Sequence, residues 1–260
     1  MTQQRRILTV LAVFAAIGAL LLAVRPLVME RERSGNLQAA FDAEFLARPD
    51  GYPGLSEHYD FQFPAKPRQM DPGLMYRALA DGAVDVIDGF ATDGRIPAYD
   101  LIALEDDRSF FPPYDAAPLA RGDTLARYPE IRLALNRLAG RISTEAMQKM
   151  NFAVDERGRK AADVAREFVE SEGLLAGTST RRAKRTGRVA VGSKAFTEQE
   201  ILGEIMALLL ESHTDLNVER RLNLGGTMIC FEALRAGDLD VYAEYTGTAL
   251  VNVLHRSAMA

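Results

Sequence analysis

Two stretches of this chain match at a constant offset of 155 residues, and that match limits the architectures open to it. The later stretch is Leu224–Leu250, LGGTMICFEALRAGDLDVYAEYTGTAL; the earlier is Asp71–Ile96, DPGLMYRALADGAVDVIDGFATDGRI. Ala78 falls on Ala233, Leu79 on Leu234, Gly82 on Gly237, Asp85 on Asp240, Val86 on Val241 and Phe90 on Tyr245. Each copy reads as a short helix, a glycine stop, a buried strand and an aromatic residue at the strand's tip. A repeat of one helix–strand unit predicts two similar α/β lobes.

The length of 260 residues accommodates two such lobes. A net charge of −5 argues against a general nucleic-acid binder or a protein that clings to anionic lipid. The single cysteine, Cys230, excludes a disulfide framework within the chain and a multi-cysteine zinc site. It sits in a helical pattern and reads as a small core residue. At the N-terminus, Arg5 and Arg6 precede an apolar run, Ile7–Val24, broken only by Thr9 and Gly18. The run is long for a signal-peptide core and just long enough to span a membrane. No small-x-small cleavage site follows it. It is read as a membrane-anchor helix, with a cleaved export signal as the alternative and the rest of the chain outside the cytoplasm.

Along the remainder, Leu37–Phe41 and Tyr59–Phe63 read as strands, and Asp42–Leu55 as a loop or short helical piece. Asp71 caps a helix that has Pro72 at its first position and ends at Gly82. Val84–Ile87 is a buried strand with Phe90 just past its end, and Leu101–Leu104 is another apolar run. The two prolines of Phe110–Tyr114, FFPPY, exclude a central strand there. From Asp123 to Gly173 the pattern is helical, with Ser143 as a cap and Gly140 and Gly173 as stops. Gly177–Arg188, with five basic residues, is a linker. Val189–Val191 is a strand, Thr197 and Glu200 form a capping box for the helix Ile201–Leu210, and Asn217–Leu222 is a further strand. Strands alternating with helices point to an α/β sheet.

The sequence carries no recognisable catalytic or metal motif. GRVAVGSK lacks the adjacent Gly-Lys of a phosphate loop, since Ser193 intervenes. His58, His213 and His255 have no metal-ligand spacing. The acid pair Asp106–Asp107 lies in one loop, where neighbours seldom form a dyad. What remains is binding. Tyr245, Phe90 and Tyr114 each lie at a turn beside Gly or Pro, where a ring is less readily explained as core. Aromatic faces attract quaternary ammonium groups.

Five stretches carry a family resemblance: VAVGSKAFTEQEILGEIMALLLE, LGGTMICFEALRAGDLDVYAEYTGT, EFLARPDGYPGL, DPGLMYRALADGAVDVIDGFATDGRI and LEDDRSFFPPYDAAPLARGDTL. Over Leu37–Leu254 the chain resembles the glycine betaine/choline/osmoprotectant substrate-binding proteins of ABC transporters. The resemblance implies a two-lobed, type II periplasmic-binding-protein-like α/β fold that closes on its ligand. The order of the pieces is exchanged, as in a circular permutation, and the family's middle segment, which brings a hinge-crossing strand and one cage aromatic, is missing or shortened. The fragment LLLAVRPLV faintly resembles that strand.

On this basis residues 1–34 are the anchor or export signal, 35–115 the second ligand-binding lobe and 116–176 the C-terminal helical part of the first lobe. Residues 177–188 are the linker and 189–260 the N-terminal part of the first lobe. The resemblance implies an aromatic cage of Tyr245, Phe90 and Tyr114, and carboxylate contacts from Lys194, Arg48 and Thr248; Asp93 is expected to hold a turn or pair with Arg95. Charged donors suit a carboxylate as rings suit a cation. The implied partners are a quaternary-ammonium solute, an ABC permease with its ATPase, and the membrane through the N-terminal helix, facing the periplasm. No enzyme activity, cofactor, metal or nucleic acid is implied. The alternatives are a solute sensor or accessory protein, and a truncated domain with impaired binding.

Overall fold

The computed structural model describes residues 20–24, 37–175 and 187–256. In chain order, strand β1 (Leu20–Val24) leads to β2 (Ala39–Phe41), helices α1 (Ala43–Ala47) and α2 (Tyr52–Tyr59), β3 (Arg68–Gln69), α3 (Pro72–Ala80), β4 (Val86–Phe90), α4 (Arg95–Ala98) and β5 (Ile102–Ala103). Then follow β6 (Ala116–Ala120), α5 (Gly122–Arg127), α6 (Glu130–Leu135), α7 (Thr144–Asp155) and α8 (Ala161–Ser171). The last part holds β7 (Gly187–Gly192), α9 (Thr197–His213), β8 (Leu216–Arg221), α10 (Thr227–Ala236), β9 (Val241–Tyr245) and the short turn α11 (Thr246–Thr248).

These strands form two mixed sheets, ordered β3-β2-β4-β1-β5 and β6-β9-β7-β8. In the first, β2 runs parallel to β3 and β4, and β1 pairs antiparallel with β4 and β5. In the second, β7 runs parallel to β8 and β9, and β6 pairs antiparallel with β9. The series β3-β2-β4-β1 thus has the same order and directions as β8-β7-β9-β6. The repeat extends to the polar contacts that start each strand. Asp85 donates its N–H to the Gln38 carbonyl at 2.7 Å, and its carboxylate accepts the Gln38 N–H at 2.9 Å. Asp240 does the same with Ala190, at 2.9 and 2.7 Å. An aspartate before the strand satisfies both backbone groups of the residue beside it, which fixes register. Gly82 and Gly237 end the paired helices at φ 74° and 86°, a conformation glycine adopts without penalty.

Helix α9 is the hub of the second sheet's core. Ile201, Ile205, Met206 and Leu209 are almost fully buried against α7, α8 and the sheet. Burial of each such side chain is worth roughly 1.5–3 kcal/mol. Between the sheets lies an aromatic cluster, Phe41, Phe45, Phe111, Tyr114 and Tyr245, that draws on both halves of the chain.

Several expectations need correction. Tyr59–Phe63 is not a strand: α2 runs to Tyr59, and Phe61 and Phe63 alternate because both rings pack on Tyr52. The strand expected at Val84–Ile87 spans Val86–Phe90, so Phe90 is its last residue. The capping box at Thr197 does not form. Phe196 is the N-cap, without a side-chain bond, because the Thr197 hydroxyl donates to Asp155 Oδ1 at 2.5 Å, a charged acceptor brought in by α7. Of the apolar run Ile7–Val24, Leu20–Val24 is a sheet strand; Ile7–Ala19 lies outside the described residues, as does most of the linker. Among the described residues no helix is long and apolar enough to cross a membrane.

Candidate functional site

Strand β4 delivers Phe90 to one wall of a cleft of about 250 Å³, and the start of α9 delivers Phe196 to the other. The two rings stack with centroids 5.5 Å apart and planes 6° from parallel. On its far side Phe196 stacks on Tyr245, 6.3 Å away at 19°. Tyr76, Met75 and Asp71 at the start of α3 complete the wall nearest Phe90. Gly94, just past β4, presses on α7: an added Cβ would sit 2.3 Å from the Gln148 carbonyl, so glycine lets the two halves approach here.

Glu198, in the first turn of α9 and 5% exposed, ties both sides of the cleft together. It accepts the Tyr245 hydroxyl at 2.7 Å, the Asn151 amide at 3.3 Å and the Thr92 hydroxyl. Burial raises its pKa, opposed by these donors. Asp88 is buried beside Asp42, whose N–H it accepts at 2.9 Å; burial and then the Asp42 carboxylate hold its pKa well above the usual carboxylate range. Arg95 is gripped by Asp93 at 2.9 and 2.6 Å, lies 3.8 Å from Asp155, and stacks 4.2 Å over the Tyr76 ring. Asp93 therefore pairs with Arg95 and also accepts its N–H, one of the two roles expected for it.

Of the six residues predicted to hold ligand, Phe90 alone lines this cleft. Tyr245 and Tyr114, 5% and 4% exposed, sit in the aromatic cluster behind Phe196. The Tyr114 hydroxyl reaches Asp50 at 3.4 Å, and Tyr114 packs on Gly247, where a Cβ would stand 2.9 Å from its ring. Lys194 is buried and donates to Glu244 Oε1 at 2.5 Å, with its ammonium 5.3 Å from the Tyr245 ring. Burial pushes its pKa down and Glu244 pushes back. Arg48 forks onto Asp50 two residues away and lies 3.6 Å from Glu44. Thr248 is buried in the turn after β9. The structure thus gathers Tyr245, Lys194 and Phe196 in one place and leaves Arg48 with Tyr114 and Asp50 beside it.

Sequence reasoning missed Phe196, Glu198, Asn151, Asp88 and Gln199. The Gln199 side-chain nitrogen is buried without a hydrogen bond of good geometry, next to the Tyr245 hydroxyl. Thr197–Glu200 read as a helix start, which hid the fact that its acid and amide face inward. Cys230 is fully buried, with its thiol pushed up to about 11 by burial, as a core residue should be.

A carnitine transport binding protein of Listeria monocytogenes is 42% identical over 148 residues, 56% of this chain and 48% of that protein. A glycine-betaine-binding protein of Pseudomonas aeruginosa is 37% identical over 137 residues, 52% of this chain and 44% of its own length. The chain therefore spans about half the length of these relatives. A crystal structure described as a glycine betaine/carnitine/choline ABC transporter superposes with a TM-score of 0.50 at 37% identity, covering 62% of each chain. The family model for the substrate-binding domain of ABC-type glycine betaine transport systems matches residues 29–171 and 187–259. By that match, which takes in most of the sequence, this chain belongs to the substrate-binding-domain family of ABC-type glycine betaine transport systems.

Proposed function

We propose that this protein is an extracytoplasmic solute-binding protein that holds a small quaternary-ammonium compound in the cleft between its two halves and presents it to an ABC importer. The observation that carries this reading is the stacked pair of rings Phe90 and Phe196, with the carboxylates of Asp42 and Asp71 lining the same cleft. A methylated cation offers no hydrogen-bond donor and is held by ring faces and by surrounding negative charge. Glu198 joins Thr92 to Tyr245, so closure of the halves completes a polar contact on which ligand binding can draw. No bond in the ligand changes. The family implies a permease as partner, and an ATPase belongs to the importer in this reading.

In this reading the cage consists of Phe90 and Phe196 at the surface of the cleft, with Tyr245 and Tyr114 behind them. Lys194, Arg48 and Thr248 are the groups available to a carboxylate, on condition that Glu244 and Asp50 give way. We assign residues 35–115 to the second ligand-binding lobe, and 116–176 with 189–260 to the first. We read the two blocks as circularly permuted; the family match breaks at 172–186, where the linker was expected. Leu20–Val24 lies in a sheet, and the rest of the apolar run, read as an anchor or an export signal, lies outside the described residues.

Calorimetric titration of the full 260-residue chain with choline, carnitine and glycine betaine tests the reading. One-to-one binding of at least one of them is expected. No heat from any of the three overturns it.

A further inference from the structure

Helix α7 (Thr144–Asp155) presents two faces. Met147, Met150 and Ala153 are buried in the core of the second sheet, the core that α9 also fills. Gln148, Asn151 and Asp155 follow one another at spacings of three and four residues, which lines them up along one other side of the helix.

All three reach the chain beside the stacked rings of the cleft. Gln148 Nε2 donates to the Ala91 carbonyl at 2.8 Å, and Asn151 Nδ2 to the Thr92 carbonyl at 2.9 Å. The two residues that follow Phe90 are thus each held by an amide, whose orientation is fixed because a backbone carbonyl can only accept. Asp155 Oδ1 accepts the hydroxyl of Thr197, the residue after Phe196, at 2.5 Å. Gly94 lets the loop after β4 settle onto the helix: a Cβ there would stand 2.3 Å from the Gln148 carbonyl oxygen and 2.5 Å from the Phe152 Cβ.

Phe90 ends a strand of the first sheet, and Phe196 caps a helix that packs on the second. Their 5.5 Å separation therefore depends on how the two halves meet. A binding site is precise when the groups that form it are held by a rigid element, and here one helix grips the backbone or side chain next to each ring. We infer that α7 is the gauge of the aromatic cage: through Gln148, Asn151 and Asp155 it sets the distance between Phe90 and Phe196, and with it the size of ammonium headgroup that the cleft accepts. These are positioning residues, and the inference rests on the proposed function and deepens it.

Tetramethylammonium and tetraethylammonium carry the same charge and no hydrogen-bonding group, and differ in size alone. Titrated into the full chain, tetramethylammonium is expected to bind more tightly. In Gln148→Met, which loses one amide, and in Gly94→Ala, which wedges the loop away from α7, that preference is expected to fall about tenfold, the worth of one buried hydrogen bond. Thr197→Val is expected to act in the same direction, and Thr197→Ser, which keeps the hydroxyl, to retain the parent's preference. A merely structural role lowers the affinity for both cations and leaves their ratio unchanged; that result in Gln148→Met overturns the inference. Gln148 is half-buried, so this variant decides the matter even if Gly94→Ala fails to fold. Choline, titrated alongside, reports the proposed function by itself. Choline binding with no preference between the other two cations overturns this inference alone, and absence of binding by all three overturns both.

Discussion

The ammonium of Lys194 lies 2.5 Å from Oε1 of Glu244, and the two side chains are 4% and 3% exposed. Glu244 Oε1 also accepts the Tyr245 N–H at 2.8 Å, and its Oε2 accepts the Tyr242 hydroxyl at 2.9 Å. The pair is thus a built-in element of β9, directly behind the aromatic wall. A buried ion pair adds little stability over a well-packed apolar pair, but removal of one partner strands the other charge.

Lys194→Met is therefore expected to destabilise the fold by about 3–5 kcal/mol, and Lys194→Met with Glu244→Gln to recover most of that loss. Denaturant unfolding of the two variants checks it. A single variant as stable as the parent chain places the pair outside the structural core of the lobe.

Glu198 gives the protein a pH dependence of definite sign. Its folded-state pKa lies above the ordinary glutamate value of 4.5, with burial the first cause and the Asp93 charge a minor one that acts in the same direction. The folded state thus holds the proton more tightly than the unfolded chain. The stability this group contributes is fully present below the ordinary value and declines as pH rises through the raised one. Asp88, raised by burial and Asp42, acts with the same sign. Thermal unfolding between about pH 5 and pH 8 is expected to show a midpoint that falls with pH, and Glu198→Gln a shallower fall. A midpoint that rises over this range contradicts the assignment.

Tyr245→Phe keeps the ring stacked on Phe196 and removes the hydroxyl that Glu198 accepts. A loss of about 1–3 kcal/mol is expected from a buried carboxylate left short of a donor. Affinity for a quaternary cation is expected to change less than in Tyr245→Ala, which also removes the support for Phe196. The comparison of unfolding energies with titration heats separates the two effects.

Gly247 faces Pro112, the Pro113 carbonyl and Tyr114, all of which an added Cβ would approach within 2.9 Å. Gly247→Ala is expected to cost about 1–3 kcal/mol through overpacking, with Tyr114 pushed out of the aromatic cluster. Chemical unfolding measures it, and an unchanged midpoint means that the loop yields without cost.

The repeat was legible because a helix stop, a strand-starting aspartate and a tip aromatic leave local marks; β4 and β9 fall at the predicted offset, Val86–Phe90 against Val241–Tyr245. Asp50 as a partner for Arg48 lies two residues away, yet neither it nor Glu244, fifty residues from Lys194, was foreseen. Thr197 misled for the same physical reason: a capping pattern is local, whereas Asp155 reaches it from 42 residues away and wins with a full charge. Phe196 and Glu198 carried no periodic signal that set them apart from an ordinary helix start. Their roles arise only when β4 is brought against α9.

In the proposed function the rings in the cleft hold a quaternary cation. Titration of choline into the full chain and into Phe90→Ala tests it most directly, since Phe90 is half-buried at a strand end and its removal leaves the core in place. A cation–π contact in a desolvated site is worth about 2 kcal/mol, so the account predicts one-to-one binding to the parent chain and affinity weaker by about thirtyfold in the variant, with a similar unfolding midpoint. Equal affinity in the two proteins would contradict it.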